Sequence, residues 1–315
     1  MGVSILIPAF RPTYLRQALA SALTQGVEDL EILVSDDSGG ETVQPVVEQF
    51  RDPRIKYSRT AGRIGATPNC TALWNAAKYD LIQFLLDDDL LMPHALPELL
   101  AQAERRPDAS LYFGSRYVID AKGRITGEAA VRDQPVIEVN GPNLTASFVP
   151  MLRNPVGEFT NVLMNRKVGL TAQLYETYMG YELRVLGDVA FYLCAGRLGP
   201  AIGINRPVAA FRIHGDQRSS PDANPTFAIG LAEWEIFVRG ELSDGRITAE
   251  QALSAIGRLK TAYEHWGQKL PTLLALRPGV DDLQARVEAG DTALLDDAFR
   301  ARWDTFVESV IEPAG

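Results

Sequence analysis

The chain has 315 residues, 46% hydrophobic and 23% charged, with 31 Lys and Arg against 40 Asp and Glu, a formal net charge of −9. This composition suits one large or two modest globular domains, and the acidic balance argues against non-specific nucleic-acid binding and a basic membrane-docking face. No apolar run approaches the roughly 20 residues that span a bilayer, and Val3 to Ile7 is too short for a signal peptide. Cys70 and Cys194 lack a CxxC or Cys/His metal spacing and read as buried thiols of a reducing compartment, so a cytoplasmic location is expected.

Val3 to Pro8 (VSILIP) is a short apolar run with β-branched residues stopped by proline, a buried strand. Tyr14 to Thr24 has helical spacing, and Glu31 to Ser35 is a second strand running into DDSGG. Thr42 to Phe50 predicts a helix with Pro45 near its first turn, and Arg54 to Thr60 a third strand. Pro68 to Lys78 is helical, Leu81 to Leu86 a strand, Pro93 to Arg105 a helix and Ser110 to Asp120 a strand. This alternation through residue 120 predicts an α/β sheet, mostly parallel, with flanking helices. From Gly123 to Val156 periodicity is poor and loops are expected; Leu183 to Leu198 reads as a helix interrupted at Gly187-Asp188, and Ala201 to Gly215 as strand segments. Phe227 to Leu242, Thr248 to Lys269 and Ala293 to Ile311 read as amphipathic helices, the second opened by a capping box, Thr248 to Gln251. Trp234, Trp266 and Trp303 fall on helix faces as packing residues. A boundary near Ser219 is expected, dividing residues 1–219 from a helical subdomain, 220–315, with the first part falling into halves 1–120 and 121–219.

Ligands of open α/β sheets bind outside the carboxyl ends of the strands. Three such ends carry unusual residues: Pro8-Ala9-Phe10, Asp36-Asp37-Ser38 and Asp87-Asp88-Asp89. Three adjacent carboxylates repel one another and resist burial, so either a hard divalent cation or plain solvent must offset them. Mg²⁺ sites of this kind take one or two carboxylates plus substrate phosphates.

The ordered motifs PAF, SDDS, GATPNCTALWNAA and FLLDDDLLMP resemble the family 2 glycosyltransferases of GT-A (Rossmann-like) fold over Val3 to Ser115, with GDVAFYLCAGR and FRIHGDQRSS extending the likeness to about Ser220. The resemblance implies a nucleotide-sugar donor, typically a UDP-sugar, contacted by Pro8, Ala9 and Phe10. It implies Asp36 as acceptor from the base imide N–H with Asp37 beside it, and Arg63, Gly65 and Asn69 over base and ribose. Asp87, Asp88 and Asp89 stand for the metal-binding DxD, with Asp87 and Asp88 also towards the donor and Mn²⁺ or Mg²⁺ as cofactor. The same likeness gives His214 to the metal or diphosphate, and Arg212 and Arg218 to phosphate oxygens, with surface placement as the alternative. Gln217 to Ser220 reads as a mobile loop over the donor, and Glu158 resembles a segment below the acceptor. Asp188 falls at the catalytic base. The family shows acids where Leu86 and Gly187 stand here.

The expected activity is inverting, metal-dependent transfer of a sugar to a hydroxyl acceptor in glycan or polysaccharide biosynthesis. The alternatives are a nucleotidyltransferase, although no Gly-rich loop follows the first strand, and a non-catalytic scaffold. A dinucleotide oxidoreductase is excluded because no G-x-G-x-x-G follows Val3 to Ile7. The acceptor is a saccharide, a lipid-linked saccharide reached by peripheral membrane contact, a protein side chain or a small metabolite. The C-terminal helices would supply that contact or a homodimer interface.

Overall fold

The computed structural model describes residues 1–129, 133–215 and 226–311. In chain order it runs β1 (Val3–Ala9), α1 (Leu15–Leu23), β2 (Leu30–Asp36), α2 (Gln44–Val47), β3 (Ile55–Arg59), α3 (Ala66–Ala76), β4 (Leu81–Phe84), β5 (Leu90–Leu91) and α4 (Ala95–Arg105). There follow β6 (Leu111–Ile119), β7 (Ile125–Ala129), β8 (Val136–Val139), α5 (Gly141–Phe148), β9 (Val162–Asn165), β10 (Thr177–Tyr178), β11 (Tyr181–Glu182), α6 (Gly187–Leu198) and β12 (Ala201–Arg212). The chain closes with α7 (Phe227–Ser243), α8 (Ala249–Gly267), α9 (Thr272–Ala275), α10 (Arg277–Glu288) and α11 (Asp297–Ile311).

Two compact units form. The first gathers Met1–Gly141, Val156–Leu174 and Cys194–His214; the second gathers Pro142–Pro155, Tyr175–Leu193 and Gly215–Gly315. The boundary expected near Ser219 lies outside the described residues.

The first unit is built on one sheet of order β3-β2-β1-β4-β9-β6-β12-β5, with β7 on β6 and β8 on β12. β1, β2, β3 and β4 pair in parallel, as alternation with helices predicts. Val3, Ile5, Ile7 and Ala9 pack with Leu15, Leu19 and Ala22 of α1 in one apolar cluster. The α/β sheet with flanking helices forms as expected, and beyond β4 it is mixed: β9 runs antiparallel to both β4 and β6 and so separates them. Its four residues are buried, and the Asn165 side chain donates to the carbonyls of Pro107 and Ala109 at 3.0 and 2.9 Å. The stretch read as loops also holds β7, β8 and α5. The segments read from Ala201 onward are one strand with register shifts around Pro207, as a residue lacking N–H enforces.

In the second unit α7 is buried nearly all round, charged Glu233, Glu235, Arg239 and Glu241 included. Glu235 pairs with Arg239 at 2.7 Å and with Arg302 at 2.5 Å. Arg239 also donates to the Leu294 carbonyl at 2.7 Å and lies 4.3 Å from the Phe299 ring centre. A buried ion pair of this kind persists only when its remaining polar atoms are matched. The capping box at α8 forms: Gln251 N–H donates to the Thr248 hydroxyl at 3.2 Å, and Thr248 N–H to the Gln251 side chain at 2.9 Å. Trp234 and Trp303 are buried packing residues, and α10, which the sequence left unread, packs beside α8. Cys70 is buried as expected, Cys194 only half-buried. Among the described residues no helix is long and apolar enough to cross a membrane.

Candidate active site

The carboxyl ends of β1, β2 and β4 are tied together by one side chain and by the backbone. Asp87 accepts from the backbone N–H groups of Phe10 and Arg11 at 2.7 and 2.8 Å, which fastens the end of β4 to the end of β1. Asp37 N–H donates to the Ala9 carbonyl at 2.8 Å, joining β2 to the same edge.

Asp36 is fully buried and accepts from Ser38 N–H at 2.9 Å, the Tyr57 hydroxyl at 2.7 Å and Arg59 Nε at 3.3 Å. Burial pushes its carboxyl up, but hydrogen bonds from Ser38, Tyr57 and Arg59 outweigh it and leave the group below its usual range. Asp37 holds the next loop: it accepts from the Thr60 hydroxyl, Ile64 N–H and Gly65 N–H at 2.9, 2.8 and 2.9 Å. That loop places the Arg63 guanidinium 4.9 Å from the centre of the Phe10 ring, while Arg63 Nε donates to the Ser38 carbonyl at 2.9 Å. Phe10 is 41% exposed, so an open aromatic face with a cation against it stands at the end of β1. Asn69 is buried and donates to the Ser35 carbonyl at 3.2 Å, with its own Oδ1 lacking a hydrogen-bond partner.

The three aspartates have three different surroundings. Asp87 is the clamp already described; burial pushes its carboxyl up to about 6, against the lowering pull of the Arg11 and Phe10 N–H groups. Asp89 is 1% exposed and accepts from the Thr160 hydroxyl at 2.8 Å and Arg212 N–H at 3.0 Å. Burial, and then the neighbouring Asp88 charge, raises it well above the carboxylate range. Asp88 is half-buried, and its Oδ2 lies 3.0 Å from His214 Nε2.

Arg212 differs from both expectations for it. It is fully buried rather than on the surface, and its guanidinium donates to the carbonyls of Asp88 and Asp120 and to Gln17 Oε1 at 2.7, 3.2 and 2.8 Å. Its cation also lies 4.2 Å from the Tyr14 ring centre. With those donors engaged it holds up the aspartate turn and does not reach out to a phosphate. Arg212→Ala is therefore expected to cost about 3 kcal/mol, since hydrogen bonds from a buried charge are each worth about 1.5–3 kcal/mol. Chemical denaturation checks this: an unchanged midpoint would show that the side chain is no strut. Glu158 pairs with Arg116 at 2.8 Å. Arg218 and the loop Gln217 to Ser220 lie outside the described residues.

Among the described residues no group of three or more His, Cys, Asp and Glu side chains is arranged to hold a metal ion. The expected set of Asp87, Asp88, Asp89 and His214 is thus divided, because Asp87 and Asp89 face the protein's own donors. Asp88 and His214 stand side by side. One carboxylate and one imidazole fit a divalent cation that draws its other ligands from water and a diphosphate.

In the second unit, half-buried Asp188 sits in the first turn of α6. It accepts from the Asn154 side-chain amide at 2.9 Å and from Val189 N–H at 2.8 Å. The helix expected from Leu183 begins only at Gly187, because the N–H groups of Arg184, Val185 and Leu186 point at the Glu233 carboxylate of α7 at 2.5, 3.2 and 2.6 Å. Burial pushes Glu233 up to about 7, against the lowering pull of those three donors.

Residues 4–168 match the sequence profile of Glycosyl transferase family 2. The chain belongs to that family. An uncharacterized protein of Mycobacterium tuberculosis is 29% identical over 202 residues, 61% of this chain and 60% of that one. The GalNAc(5)-diNAcBac-PP-undecaprenol beta-1,3-glucosyltransferase of Campylobacter jejuni is 34% identical over 130 residues, 40% of this chain and 41% of that one. The chain thus spans less than two thirds of the length of either curated relative. The crystal structure of S. aureus TarS 1-349 in complex with UDP-GlcNAc superposes with a TM-score of 0.56 at 14% identity, covering 99% of this chain and 92% of that chain, a likeness of fold.

In this family 2 glycosyltransferase, sequence reasoning found the residues at the strand ends and missed those that hold them. Thr160 donates to Asp89 and accepts from Leu86 N–H at 3.2 Å. Gln17 and Glu233 were also missed. Gln17 is an exposed position of α1 whose amide oxygen reaches Arg212, and Glu233 is a buried position of α7; no sequence signal separates either from an ordinary solvated polar residue.

Proposed function

We propose that this glycosyltransferase moves a sugar from a nucleotide-sugar, with UDP as the nucleotide, to a hydroxyl acceptor with inversion, and needs a divalent cation. The observation that carries this reading is the Asp88–His214 pair, 3.0 Å apart, at an edge that Asp87 and Asp37 hold in place. Phe10 and Arg63 offer the base and ribose an aromatic face and a cation, and Asp36, Asp37, Gly65 and Asn69 support that loop. A divalent cation bound by Asp88 and His214 would supply Lewis-acid stabilisation of the departing diphosphate.

Asp188 acts as the general base. Its carboxylate takes the acceptor hydroxyl proton while that oxygen forms a bond to C1 of the sugar. The bond from C1 to the diphosphate oxygen breaks, and its electron pair leaves with the nucleoside diphosphate. A single displacement of this kind inverts C1. The name of the Campylobacter relative supports a lipid-linked saccharide as the acceptor class.

Calorimetry with UDP, with and without Mn²⁺, tests the donor half of this reading. Binding that appears only with the cation is expected. Equal UDP affinity in both conditions, or none in either, sinks it.

A further inference from the structure

No side chain fits at Gly187, the first residue of α6. A Cβ at Gly187 would lie 2.6 Å from the Tyr175 carbonyl oxygen, closer than any real contact. A carboxylate nevertheless reaches the start of α6, by another route. Gly230 on α7 lets that helix approach Val185 so closely that a Cβ would lie 2.8 Å from the valine side chain. One turn further on, on the same face of α7, stands Glu233. Its side chain is fully buried and receives three consecutive backbone N–H groups, Arg184, Val185 and Leu186.

Those N–H groups precede the first turn of α6, whose opening hydrogen bond runs from Ala190 N–H to the Leu186 carbonyl. Fixing Leu186 therefore fixes the two residues that follow, Gly187 and Asp188. The Arg184 guanidinium goes to Glu182 at 3.0 Å, so Glu233 meets the Arg184 backbone and not its charge. Asp188 is the neighbouring charge that acts on Glu233, and the two carboxylates repel. The Asn154 side-chain amide also donates to Asp188.

We propose that Glu233 is a positioning residue: it anchors the 184–186 segment so that the Asp188 carboxylate is held in the orientation needed to take the acceptor proton. This inference rests on the base assignment of Asp188. It makes a buried carboxylate of the C-terminal helices part of the catalytic apparatus.

Glu233→Gln tests it in the full-length protein. The amide keeps the shape and one acceptor oxygen, but its NH₂ cannot receive the segment's N–H groups. Turnover of UDP-glucose and of UDP-GlcNAc with Mn²⁺ is measured at a temperature where circular dichroism shows the variant folded. Amide hydrogen exchange over residues 183–190 and UDP affinity by calorimetry are measured alongside, with Asp188→Asn as the reference. The expected result is a roughly 10- to 100-fold loss of kcat with unchanged KM for the donor and unchanged UDP affinity, together with faster exchange over 183–190. A role confined to stability would leave kcat of the folded variant at the parent value. Turnover lost in Asp188→Asn but kept in Glu233→Gln overturns this inference alone. Turnover kept in Asp188→Asn overturns the base assignment, and the positioning role falls with it.

Discussion

Asp188→Asn should reduce turnover of a UDP-sugar by about 10²- to 10⁴-fold, the range that a positioned general base contributes, while UDP affinity stays at the parent value. The substitution is nearly isosteric, and the new side chain keeps an oxygen that can still receive the Asn154 amide, as Asp188 does at 2.9 Å. What it loses is the capacity to take a proton. The substitution leaves the side chains proposed for the donor, Phe10, Arg63, Asp88 and His214, unchanged. Steady-state kinetics and calorimetry on the same preparation separate the two quantities. A variant that turned over like its parent would place the base elsewhere.

Asp88→Ala has the second large expected effect, on binding. It removes one of the two side chains proposed for the cation, and Mn²⁺-dependent UDP affinity should fall on the order of 100-fold, equivalent to about 2.7 kcal/mol. The fold should tolerate the change better than a change at either neighbour. The Asp88 side chain is half-buried and meets His214, whereas the carboxylate of Asp87 ties two strands together and that of Asp89 is buried against Thr160 and Arg212. The Arg212 bond to residue 88 goes to the backbone carbonyl, which alanine retains. Titration of UDP into the variant with and without Mn²⁺ gives the answer. Parent-like, cation-dependent affinity would remove Asp88 from the metal site.

The parts of this fold that can be read from sequence are those where local chemistry and burial agree. β1, β2 and β4 are apolar runs, and all three form, although β1 runs through Pro8 to Ala9 and β4 ends at Phe84, two residues short of the expected Leu86. The helix over Thr42 to Phe50 shrinks to Gln44–Val47, with Pro45 in its first turn, and a loop leads from it to β3. β7 and β8 were illegible because they are short and largely exposed, with Gly127 and Glu138 breaking any apolar alternation. β9 was illegible for a different reason: Val162 to Asn165 carries no periodicity, and only its place between β4 and β6 makes it a strand.

The candidate site divides in the same way. Motif residues such as Phe10, Asp37, Arg63 and Asp88 could be named in advance, since their chemistry points at a ligand. Arg212 could not be assigned correctly, because an arginine in FRIH looks like a phosphate ligand and nothing local shows that Gln17, Asp88 and Asp120 surround it. Glu233 was hidden more deeply still. On paper, charges along α7 suggest a wet face, yet that helix is enclosed on every side.

The aspartate turn is held by parts of the chain far beyond it: Thr160 lies 71 residues after Asp89, and Arg212 lies 123 residues after it. A chain still emerging from the ribosome therefore has β1, β2, β3 and β4 long before it has the partners that hold that turn. Until β9 arrives, β4 presents an unpaired edge, an invitation to association with other chains. Fragments cut short of residue 212 should keep the apolar strands and lack a formed turn, so a truncation series would locate the length at which this half of the molecule becomes able to receive a nucleotide.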